Sequence, residues 1–266
     1  MKTKNLLVII LTVLIFLSAV TLGISTVYRV DEVSVEASLV SEDAKDEVAE
    51  LKERLKTAYY QKSMFSCADT QAKEIVSNFP YFRWIGFKID YPNRLVVQIS
   101  EDAELFALGN SENGFFILGA EGTILGIRDN SLNRADGAEN VLLKGMMVTG
   151  EKGAFPNGDD ALAYIVSFCD TLAKRMPQLR RNIVSIEVVR PAASVSETQF
   201  VIAMREGVKI LVHNPFSMTA EKANKALDSY FACKDIERLT GSIWVAESNG
   251  EIISKYYADS YLPTPN

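Results

Sequence analysis

The chain has 266 residues, enough for one large or two small domains, and an apolar content of 48% argues against wholesale disorder. Its formal net charge is −6, and −8 once Lys2 and Lys4 are set aside, which argues against a nucleic-acid partner and tight docking on anionic lipid. Three widely spaced cysteines (Cys67, Cys169, Cys233) and one histidine (His213) give no C-x-x-C pair and no disulfide framework, although one long-range bridge stays open.

Residues 6–24 are an uncharged apolar run of 19 residues, roughly 28 Å as a helix, close to the hydrocarbon thickness of a bilayer. The run is too long for the core of a cleaved signal and predicts a transmembrane helix. Lys2 and Lys4 then place residues 1–5 in the cytoplasm as a short tail, with the rest of the chain outside a cell membrane.

Val30, Val33 and Val35 predict a short strand. Ser41 is placed to cap the next helix, with Glu42 and Asp43 in its first turn and Ala44, Val48, Leu51, Leu55 and Ala58 along one face. A second helix, capped by Ser66 or Asp69, carries Ala72, Ile75, Val76 and Phe79. Pro80 ends it, and Ile85, Phe87, Ile89 and Tyr91 then alternate with polar or small residues. Pro92 and Asn93 supply a turn, and Leu95, Val97 and Ile99 form the returning strand. Residues 28–101 are therefore expected to form one domain of order strand–helix–helix–strand–strand, and 102–258 a β-rich second domain.

In that second part, 115–118 and 123–127 flank a Gly-bearing turn and predict a hairpin. Residues 129–140 resemble a calcium loop only superficially, because Arg134 stands where an EF-hand needs glycine. Leu162, Ile165, Val166, Cys169 and Leu172 share a helix face, followed by Lys174, Arg175, Arg180 and Arg181, cations suited to a helix C-terminus. Strands are expected around 184–188, 200–204 and 208–212, then a helix carrying Ala223, Ala226, Leu227, Tyr230 and Phe231. Residues 243–246 and 251–257 flank Asn249 and Gly250, the strongest hairpin signal in the chain. Residues 259–266 read as a loose tail.

Catalytic signatures are missing. There is no S-x-x-K, G-x-S-x-G, P-loop or H-E-x-x-H, and the acidic pair Asp159 and Asp160 sits at a helix start, where the dipole alone favours acids. The sequence reads as a non-enzyme with no catalytic residues, no cofactor and no metal.

The order of parts resembles the bacterial division proteins of the FtsQ/DivIB family. The resemblance rests on Ser63-Met64-Phe65-Ser66, Asn78-Phe79-Pro80-Tyr81, Tyr91-Pro92-Asn93-Arg94-Leu95, Ile99-Ser100-Glu101, Phe116-Ile117-Leu118 with Gly122, and more weakly Gly241-Ser242-Ile243 through Tyr256. Two departures are a missing glycine after Val33-Ser34-Val35 and Trp244 in place of a common aspartate. The resemblance implies an α+β chain with an N-terminal transmembrane helix, a POTRA-like domain and a β-rich second domain. It further implies a bitopic divisome scaffold at the septum that binds FtsL-like and FtsB/DivIC-like single-span coiled-coil proteins and positions or regulates the septal peptidoglycan synthase complex. A partner strand added to the last strand implicates Ile252, Ile253, Ser254, Lys255 and Tyr256, which otherwise close the core. The alternatives are another POTRA-like membrane protein of secretion or sporulation, and an extracytoplasmic cell-wall hydrolase.

Overall fold

A computed structural model describes residues 2–39, 44–110, 114–191 and 197–258, and the chain divides into two units, residues 1–101 and 102–266. The expected cap at Ser41, with Glu42 and Asp43, and the tail over 259–266 lie outside the described residues.

The first unit begins with helix α1 (Lys2–Val27). Among the described residues, no helix is long and apolar enough to cross a membrane. This overturns the transmembrane helix over 6–24 and the single-pass localisation built on it; helix α1 itself begins at Lys2. Crossing a bilayer takes about 20 consecutive, predominantly apolar residues, and among the described residues no helix supplies such a run. Within α1 the hydroxyls of Ser18 and Thr21 donate back to the carbonyls of Leu14 and Leu17 at 2.7 and 2.8 Å.

Strand β1 (Glu32–Ser38) and helices α2 (Ala44–Tyr59) and α3 (Asp69–Ser77) precede the hairpin of β2 (Phe82–Asp90) and β3 (Arg94–Glu101). The sheet order is β1–β3–β2, with β1 parallel to β3, so the chain's third strand is central. Leu95, Val96 and Val97 are accordingly all buried, where simple alternation would expose Val96. The hairpin turn carries a cis Tyr91–Pro92 bond.

The β2 alternation fails at one point. A register shift between Trp84 and Gly86 inserts an extra residue, and Ile85, expected inward, is 59% exposed. On α2 the buried stripe is Ala44, Leu51, Leu55 and Tyr59, with Tyr59 in place of Ala58. The Tyr59 hydroxyl donates to the Ala68 carbonyl at 2.6 Å and fixes the loop between the helices. That loop includes a 3₁₀ turn over Met64–Ser66, and the N-cap of α3 is Ala68, with no side-chain cap from Ser66 or Asp69.

The second unit holds β4 (Glu104–Gly109), β5 (Phe115–Gly119), β6 (Ile124–Arg128), β7 (Val141–Lys144), α4 (Ala161–Ala173), α5 (Leu179–Asn182), β8 (Ile183–Val189), β9 (Gln199–Met204), β10 (Lys209–His213), α6 (Thr219–Ala232), α7 (Asp235–Arg238), β11 (Ser242–Ser248) and β12 (Glu251–Tyr257). They build a nine-stranded sheet of order β12–β11–β10–β9–β8–β7–β4–β5–β6. Helices α4 and α6 pack on one face, where Phe168 meets Phe200 edge to face with centroids 6.2 Å apart. Two strands carry no local signal in the sequence. β4 and β7 lie side by side in parallel and join the 115–128 hairpin to the rest of the sheet.

The polar loop over 129–140 is anchored by protein groups at several points. The buried Glu104 carboxylate takes the Arg128 guanidinium and the Arg134 N–H, while Asp136 pairs with Arg180 at 2.8 Å. The basic cluster also differs from expectation. Helix α4 ends at Ala173, and the cations that follow it pair with acids, Lys174 with Asp170 and Arg175 with Asp228.

Candidate partner-binding edge

The five residues singled out, Ile252, Ile253, Ser254, Lys255 and Tyr256, all lie on β12, and β12 ends the nine-stranded sheet. The hairpin that places it there follows from two residues. Asn249 (φ 52°) and Gly250 (φ 81°) both adopt the left-handed region, as a type I′ turn requires, and they connect strands that pair Ser248 with Glu251.

That turn decides where the backbone groups of β12 point. In a two-residue hairpin the flanking pair exchanges both hydrogen bonds, and hydrogen-bonded pairs then alternate with unbonded ones. Glu251, Ile253, Lys255 and Tyr257 therefore bond to β11, whereas the N–H and C=O groups of Ile252, Ser254 and Tyr256 point away from it. The parallel side of β11 agrees: Lys209 N–H donates to Gly241 O at 3.2 Å, so odd-numbered residues of β11 serve β10 and even-numbered ones serve β12. Among the described residues no strand pairs with the outer side of β12.

The opposite sheet edge is different. At β6, the Ile124 N–H donates to Ala154 O at 2.9 Å and its carbonyl accepts from Gly153 N–H at 2.8 Å, so part of that edge is already occupied. Of the two ends of the sheet, β12 is the one that, among the described residues, offers an uninterrupted run of outward donors and acceptors.

The side chains of β12 divide between the two sheet faces. Ile252 and Tyr256 pack against the helix-side core, and the Ser254 hydroxyl bonds to that of Ser229 on α6 at 2.7 Å. Tyr256 Oη donates to the Thr240 carbonyl at 3.3 Å. On the other face Ile253 is 41% exposed, and Lys255 Nζ sits 5.0 Å from the centroid of the Tyr257 ring. The helix-side residues thus fix the strand while its backbone edge stays available, and the exposed Lys255 is the kind of residue that discourages indiscriminate edge pairing. Ser229 is not predictable from the sequence, because a serine on the polar margin of a helix carries no signal of its strand partner.

The other chemistry-bearing residues are engaged structurally. Asp159 accepts the Ala161 N–H at 3.0 Å and both oxygens take the Arg190 guanidinium at 2.8 Å. His213 lies on β10, where burial and then the Lys222 charge lower its pKa. Cys169 and Cys233 are buried, Cys67 is partly exposed, and all three are free thiols; burial pushes Cys169 up to about 12. Among the described residues no group of three His, Cys, Asp or Glu side chains could hold a metal. No protein-family model and no curated protein matches this chain.

Proposed function

We propose that this protein is a non-catalytic scaffold of the bacterial division machinery, and that it captures small coiled-coil division proteins of the FtsL and FtsB/DivIC type by taking one of their segments as an extra strand on β12. In that role it positions or regulates septal peptidoglycan synthesis. The observation that carries the reading is the outward set of backbone groups at Ile252, Ser254 and Tyr256 on a terminal strand. Strand addition draws affinity from such backbone bonds and specificity from alternate side chains. The resemblance to FtsQ/DivIB supplies the class of partner.

Ser254→Pro tests the reading directly. Proline removes an outward donor and thrusts its ring toward an incoming strand, while the ladder to β11 is untouched. Loss of one interfacial hydrogen bond together with a steric block is expected to weaken partner capture about 100-fold or more, some 3 kcal/mol. Capture is read by titrating the purified coiled-coil partner against the folded variant. Wild-type affinity in a folded Ser254→Pro protein would defeat strand addition at β12.

A further inference from the structure

On the face of the sheet away from the helices, β12 presents Glu251, Ile253 and Lys255 in a row. All three are exposed, Ile253 to 41%. Among the described residues neither Glu251 nor Lys255 joins an ion pair, although the Lys255 ammonium lies over the Tyr257 ring. An apolar residue with an acid two positions before it and a base two positions after it makes a row that is complementary to itself when reversed. That is the property a two-fold interface between identical chains requires.

We propose that β12 pairs with β12 of a second copy of this chain, antiparallel about a two-fold axis that sets Ile253 opposite its counterpart. Backbone and side chains agree on this register. Ile252 falls opposite the partner's Ser254, and Ser254 opposite the partner's Ile252. All four residues have outward N–H and C=O groups, so each pair exchanges both of its hydrogen bonds, about four across the axis. Glu251 falls opposite the partner's Lys255 on either side of the axis, in unbonded positions where facing side chains come closest. The two Ile253 side chains meet between these ion pairs and shield each other from water.

Neighbouring registers lack this match. An axis centred on Glu251 or on Lys255 sets like charges face to face, and one centred on Ile252 or Ser254 leaves both charges opposite uncharged residues. On the helix side, Ile252 and Tyr256 already pack on the core and Ser254 bonds to Ser229, so pairing asks no rearrangement of them. A lysine on an edge repels most strands, and this strand offers it an acid at the matching step. The second copy and a coiled-coil partner would use the same outward groups, so the dimer holds the edge closed until the partner displaces it. The inference rests on the outward assignment of Ile252 and Ser254 that strand addition also uses, and not on who the partner is.

Sedimentation velocity of the full chain over a dilution series tests it, on wild type, Glu251→Lys, Lys255→Glu and an equal mixture of the two variants. Wild type is expected to dimerise reversibly. Each variant alone faces like charges at two places and should dimerise about tenfold or more less tightly at low salt. In the mixture one protomer carries lysine at both positions and its partner glutamate at both. Every facing pair is then opposite in sign, and dimerisation should return to near the wild-type level. A wild-type chain that stays monomeric at every concentration overturns the inference, and so does equal association in all four samples, which would place the contact elsewhere. Neither substitution removes an outward backbone group, so partner capture can be titrated on the same proteins. Capture without self-association would refute the dimer and leave strand addition standing.

Discussion

Proline placed successively along β12 distinguishes its two sets of N–H groups without any partner present. Lys255 pairs with Trp244 in a bonded position, and Ser254 pairs with Val245 in an unbonded one. Lys255→Pro removes a ladder donor, strands the Trp244 carbonyl and presses the pyrrolidine ring against β11, a cost of about 3 kcal/mol. Ser254→Pro leaves that ladder intact and loses the hydroxyl bond to Ser229, worth about 1 kcal/mol. The difference of about 2 kcal/mol is roughly a 30-fold change in the unfolding equilibrium. Urea denaturation in a Trp84→Phe background, followed by Trp244 emission, reads it as a larger fall in midpoint for Lys255→Pro at unchanged m. Equal losses, or a larger loss for Ser254→Pro, would show that the Ser254 N–H belongs to the β11 ladder, and the outward edge would be lost.

Two buried titratable groups make predictions of opposite sign. The Tyr230 hydroxyl, buried and donating to Glu206 at 2.9 Å, has its pKa raised to about 12 by burial first and the carboxylate second. A group whose folded pKa is raised contributes stability below its unfolded value of 10.0, lost as pH climbs to about 12. Tyr230→Phe should cost about 1 kcal/mol at neutral pH, with Glu206 free to rehydrate, and should flatten the fall in stability over that alkaline window. Lys222 is fully buried and donates to the Asn214 carbonyl at 2.6 Å, and burial lowers its pKa below the ordinary 10.5. Between the lowered value and 10.5 the unfolded chain binds the extra proton, so stability rises with pH there, and Lys222→Met should remove that rise. Denaturation midpoints of the two variants against pH check both, and a Lys222→Met profile parallel to wild type would contradict the second.

Much of the fold was legible because local rules were obeyed. The strands at 94–101 and 251–257, the apolar helix face of α4 and that of α6 apart from the exposed Phe231, and the Asn249–Gly250 turn form where the pattern puts them. The failures have specific causes. At β2, a bulge resets the alternation, a long-range pairing effect with no local mark. At β7, four residues following a polar loop are too few for a period to show, and the strand exists because β4 and β8 hold it on both sides. At α1, composition favoured a membrane span, but no described helix meets the length and apolarity that crossing demands.

The edge itself divides along the same line. That β12 is a strand beside β11 follows from its own residues, and so does the direction of its N–H groups. A two-residue turn at Asn249 and Gly250 makes Ser248 and Glu251 a bonded pair, and every second residue after Glu251 must then point back to β11. Counting from the turn is enough to assign Ile252, Ser254 and Tyr256 outward. What no count can supply is that the position beyond β12 is vacant of strands, among the described residues, while the rim at β6 is partly taken. That asymmetry depends on the Ile124 contacts with Gly153 and Ala154, about thirty residues further along the chain. A binding edge is thus a property of sheet order, whereas its hydrogen-bonding polarity is a property of one turn. A one-residue slip that reversed this polarity would also turn Ile252 and Tyr256 off the helix-side core, so side-chain packing holds the register that the turn sets.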